Sequence, residues 1–182
     1  TGSRPPIPRL RDDGGHPLWS YGFRPFFLFG SLFATAAMLA WLPFYYGQIT
    51  IPTAMTPRDW HAHEMIFGFL PAVVAGFLLT ASPNWTGRLP LQGRPLIVLV
   101  VVWVAGRLAV ATSAATSPTF AAIVDLSFLA LLAAAATREI VAGRNWRNLR
   151  VILVVALMLA GNVVFHVEAA REGFADVGET LA

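Results

Sequence analysis

The sequence predicts an all-α fold, a polytopic transmembrane helix bundle of about five spans with a cytoplasmic N-terminus. Three observations predict it. Of the 182 residues, 56% are hydrophobic and only 13% charged, whereas soluble domains carry about 25% charge. Several apolar runs approach or exceed the ~18 residues that suggest a membrane span. The third observation is the placement of arginine, which supplies all 13 basic residues. Arg4, Arg9, Arg11, Arg24, Arg88, Arg94, Arg138, Arg144, Arg147 and Arg150 fall on one side of the predicted bundle. Arg58 and Arg171 fall on the other, and Arg107 lies within a span. Basic loops stay in the cytoplasm, which fixes the expected orientation. No basic stripe forms, so no nucleic-acid partner is expected. The bilayer is the expected surrounding. There is no cysteine, which excludes disulfides, thiolate metal sites, Cys-linked haem and cysteine nucleophiles.

Residues 1–23 read as a Pro/Gly-rich, weakly basic cytoplasmic extension without the apolar core of a signal peptide. Residues 24–182 read as one transmembrane domain. Its first span is expected over residues 25–46. The second, over 57–81, has a helix-start signature: Thr56 as cap, Pro57 at the first helical position and Asp59 where a capping-box acid sits. The third, over 95–113, opens at a proline. The fourth, over 119–139, and the fifth, over 148–170, are joined by the arginine-rich loop TREIVAGRNWRNLR. Trp19, Trp41, Trp60, Trp85 and Trp146 fall near span ends, where aromatic belts form. No fixed-period repeat is present.

The stretch WHAHE (60–64) opens the second span at its outer end and holds two imidazoles and a carboxylate. In a helix His61 and His63 point about 200° apart. His61 shares a face with Glu64, and below it Gly68, Ala72 and Gly76 form a small-residue groove that admits another helix. Glu64 is therefore expected to be a helix-packing carboxylate facing protein. Pro71 should free a backbone carbonyl and kink the helix midway.

The fifth span carries Met158, Asn162 and His166 on one face. It runs towards the outer side, so topology brings His61, His63, Glu64 and His166 to similar depth. The expected metal ligands are His61, His63 and His166, and the expected cofactor contacts are His61, His166, Met158 and Asn162. His61 is expected beside His166, with His63 turned away. Imidazole chemistry fits copper or haem. The plainer alternatives are interfacial histidines bound to headgroups and a methionine that only packs. Arg107 and Asp125 lie within the third and fourth spans at nearly equal distance from the loop between them. Charges at such depth pair, so a buried Arg107–Asp125 ion pair is expected. Its role is either to fix hairpin register or to serve a proton relay or a haem propionate.

GFRPFFLFGSLFA (22–34), WHAHEMIFGF (60–69), AGFLLTASPNWTGRLPLQGRPL (75–96), WVAGRLA (103–109), GRNWRNL (143–149) and GNVVFHVE (161–168) together resemble the NnrS family. The combination WHAHE…NWTG…RNWRNL is specific, whereas no single piece is. The resemblance implies a multi-pass protein of the bacterial inner membrane in the nitric oxide and nitrosative-stress response, with haem and copper as cofactors. It matches the N-terminal part of the family's pattern. It therefore implies partners: the remaining half of a longer protein, or other membrane subunits. Three functions compete. The chain is a haem- or copper-binding protein, a non-enzymatic scaffold subunit of a larger membrane complex, or an ion carrier using Glu64, Arg107 and Asp125. The last ranks lowest, because the inner halves of the spans are almost wholly apolar.

Overall fold

A computed structural model describes residues 16–180 of the chain, with side chains through residue 171. Most of the N-terminal extension, including Arg4, Arg9 and Arg11, lies outside the described residues. The described residues form helices and turns only, and five helices are long and apolar enough to cross a membrane. The chain is thus a multi-pass helix bundle. The helices are α1 (Phe23–Tyr45), α2 (Pro57–Thr86), α3 (Arg94–Ala111), α4 (Pro118–Ala142) and α5 (Leu149–Thr180).

Local chemistry sets the boundaries. Thr56 caps α2 by accepting from the Asp59 amide at 3.2 Å, and its hydroxyl donates to Asp59 Oδ2 at 2.7 Å. Pro57 and Pro118 occupy the first helical positions, where no amide donor is needed. Ser117 caps α4. Gly87 ends α2 with φ +68, a left-handed conformation that glycine adopts without steric cost. The helix α2 runs five residues beyond the expected end at residue 81, because Pro83 does not break its last turn.

Inside α2 the α-helical segment Pro57–His63 gives way to a π-helical turn, Glu64–Phe69, before α-helix resumes at Leu70. The Leu70 amide bonds the Met65 carbonyl, five residues back. Pro71 accounts for the shift. It has no amide to give, and its ring blocks a normal turn against the carbonyl four residues earlier. In place of the kink expected at Pro71, the structure has a widened turn that begins at Glu64.

Helix α4 is the hub. It packs against α3, α5 and α2, while α1 packs on α2. Phe26, Leu78, Leu96, Trp103, Phe128 and Leu132 form the main core, with the Phe26 and Phe128 rings 5.7 Å apart. A smaller aromatic cluster lies near the loop end of α1, where Trp60 and Val110 pack with Trp41 and Phe44. Trp60 is buried there, only 5% exposed, and is no part of an aromatic belt. Leu39, Phe77, Ile123 and Leu157 stand on the outside of the bundle. An apolar exterior over a packed apolar interior is what a bilayer solvent permits.

The two ends of the bundle differ. At one, Arg88 pairs with Glu139 at 2.7 Å, and the Asn145 side-chain amide donates to the Trp85 carbonyl. Arg94, Arg138, Arg144, Arg147 and Arg150 are exposed at this end. At the other, the loop after α1 meets the α3–α4 turn, where the Ala114 amide donates to the Pro52 carbonyl at 3.0 Å. The WHAHE stretch starts α2 at this second end.

Candidate metal centre

Four helices bring polar side chains to one buried level near the second end. Helix α2 supplies His63 and Glu64, α3 supplies Arg107, α4 supplies Asp125, and α5 supplies Asn162 and His166. His63 and Asn162 are 0% exposed, Glu64 1% and Asp125 2%.

Arg107 organises the acidic half. Its Nη1 donates to Glu64 Oε2 at 2.6 Å, and its Nη2 donates to Asp125 Oδ1. The expected pairing with Asp125 is present in the structure, but Glu64 is a second partner that spacing did not reveal. Two close approaches make room for the guanidinium. A side chain at Gly68 would collide with Arg107 Nη1 and come within 2.6 Å of Glu64 Oε2, and one at Gly106 would press on the Asp125 backbone at 3.2 Å. Trp103 Nε1 donates to the Gly68 carbonyl at 2.9 Å and pins the π turn to α3.

Asp125 Oδ2 organises the other half. It accepts from Asn162 Nδ2 at 2.7 Å, and it lies 3.0 Å from His166 Nε2 and 3.3 Å from His63 Nε2. His63 Nε2 is also 3.1 Å from Asn162 Oδ1. One atom each of His63, Asp125 and His166 lie within 4.8 Å of one another. Phe67 and Phe165 enclose the His63 ring, with centroids 5.6 and 5.3 Å away.

His63, and not His61, is the histidine beside His166, which corrects the sequence expectation. The site spans α3, α4 and α5, so α2 faces it across a wide arc. His63 turns towards α5 and Glu64, about 100° round the helix, turns towards α3. Both point into the site from its two sides. His61, about 200° from His63, points to α1 and stacks on Trp41 at 4.0 Å and 16°. Met158 is likewise apart from the cluster. It packs against the main hydrophobic core, one turn below Asn162. Sequence reasoning placed Gly68 in a helix-packing groove and not against Arg107, and it gave Gly106 and Trp103 no role at the site.

Charge and hydrogen bonding describe what the site can hold. Two carboxyl groups, Glu64 and Asp125, share one guanidinium, so with both ionised one negative charge is left that a cation can offset. His63 Nδ1 and Glu64 Oε1 face each other at 3.6 Å, and neither has a hydrogen-bond partner. With Nε2 donating to Asn162, a neutral His63 presents an unprotonated Nδ1 to a carboxylate oxygen. If a metal ion takes Nε2, the proton moves to Nδ1 and both orphaned atoms gain a partner. A carboxylate behind a histidine is the usual support for a metal-bound imidazole.

Fold and site together define a multi-pass membrane protein with a buried, charge-paired histidine–carboxylate cluster. The chain belongs to the NnrS family, whose model, described as NnrS protein, matches residues 17–181. No curated protein and no solved structure matches the chain.

Proposed function

We propose that this protein serves the nitric oxide and nitrosative-stress response of the bacterial inner membrane by carrying a single copper ion on His63, Asp125 and His166. The observation that carries the reading is the convergence of two imidazoles and a carboxylate within 4.8 Å, backed by an orphaned Nδ1–carboxylate contact. Two nitrogens and an oxygen suit copper among divalent first-row ions. The unbalanced negative charge supports a cation at this depth, where an uncompensated charge is costly. The arginine asymmetry supports a cytoplasmic arginine-rich end and a periplasmic metal end.

The geometry favours a bare ion over haem. The His63 and His166 rings are 4.9 Å apart, and both Nε2 atoms lie against one carboxylate oxygen. No porphyrin plane fits between them.

The test is metal analysis and optical spectroscopy of the full chain in lipid nanodiscs. Copper near one per chain is expected in the parent and in His61→Ala, with loss in His63→Ala and His166→Ala. Equal copper in all four would overturn the assignment. A metal-free chain that co-purifies in a stoichiometric membrane complex would instead favour the scaffold reading.

A further inference from the structure

A cavity of about 580 Å³ opens beside the cluster, between α4 and α5 and beneath the loop that precedes α2. Met55, Val110, Ala122, Leu126 and Val163 line it, and His166, Ser113 and Thr119 supply its polar side chains. No Arg, Asp or Glu lines it among the described residues. Its volume lies in the range of small-molecule sites, about 300–1,000 Å³. A charged ligand would give up its hydration here without a counter-charge, which is strongly unfavourable. The occupant must therefore be neutral and largely apolar. Val163 and Val167 are on the outside of the bundle as well as in the cavity wall, so such a molecule can enter from the bilayer.

His166 sets the head group. Its Nε2 is engaged at Asp125 Oδ2, which leaves Nδ1 for a ligand. In one tautomer of His166 Nδ1 accepts from a hydroxyl, and in the other it donates to a carbonyl. A ring that presents either a hydroxyl or a carbonyl at one end matches both states.

We infer that the cavity beside His166 binds a lipid-soluble quinone or quinol, its ring among Ala122, Leu126 and Val163 and one oxygen on His166 Nδ1. The inference extends the metal reading by giving the same histidine a ligand on its other face, and it can fail separately.

The test uses the full chain in nanodiscs, titrated calorimetrically with decyl-benzoquinone and labelled with an azido-benzoquinone. Labelling should map to 118–126 and 163–170. Ala122→Phe, which fills the cavity, should weaken binding by about tenfold or more while copper content stays at the parent level. His63→Ala should do the reverse, losing copper and keeping the quinone. Should Ala122→Phe not fold, Val163→Trp fills the same space from the outer wall. Parent-level binding in both cavity variants, or labelling confined elsewhere, overturns the inference. So does a porphyrin or phospholipid that stays in the cavity and excludes the probe.

Discussion

Arg107 is the side chain on which the buried charges depend. With leucine in its place, Glu64 and Asp125 would be two carboxylates without a counter-charge, and breaking a buried pair in this way costs about 3–5 kcal/mol. Arg107→Leu should lower the unfolding midpoint in detergent sharply, whereas a triple change that also neutralises Glu64 and Asp125 to glutamine and asparagine should recover most of it. Equal midpoints for the single and triple variants would refute the clamp. Gly68 tests the same contact from the other side. Its missing side chain is the space that the guanidinium occupies, so Gly68→Ala should destabilise although alanine favours helix. Glu64→Gln keeps the shape but weakens the carboxylate behind His63. Loss of such an outer partner weakens metal binding by about 10–100-fold, which a competitive chelator titration of copper would read.

At the scale of elements, the π turn in α2 decides which side chains reach the site. Restoring an amide at position 71 allows a regular α turn, which would rotate Glu64 and Gly68 relative to Arg107 and Trp103. Pro71→Ala should therefore leave the helical circular dichroism unchanged and weaken copper binding. Unchanged affinity would show that the turn does not depend on the proline. The cap that starts α2 is a simpler device, in which the Thr56 side chain satisfies the Asp59 amide. Thr56→Ala should cost about 1 kcal/mol, seen as a modest fall in thermal midpoint with the copper content intact.

For the whole molecule, orientation rests on the arginines. A reporter fused after Arg150 should give a cytoplasmic signal and one fused after Gln48 a periplasmic signal. The opposite pattern would put the metal end in the cytoplasm. The apolar exterior of α1 and α5 needs only lipid to cover it.

The number of membrane-crossing helices, their order and most of their bounds were legible in the sequence, because hydropathy and capping residues act locally. The exception is α5, which continues to Thr180, ten residues past its expected end at 170. Apolar runs of span length, Thr56-Pro57, Ser117-Pro118 and Gly87 each report their own stretch of chain. The depth of the polar residues was legible too, since antiparallel spans place Arg107 level with Asp125 and His63 level with His166. What the sequence could not settle was azimuth. Which of His61 and His63 meets His166 depends on how α2 sits between α1, α3 and α5, and on a π turn that changes its register at Glu64. The same holds for Met158, which shares a stripe with Asn162 yet ends in the core. Helical spacing fixes directions within one helix only. The rotation of each helix about its axis is decided by packing against its neighbours, so tertiary structure alone chose His63 over His61 and gave Arg107 its second carboxylate.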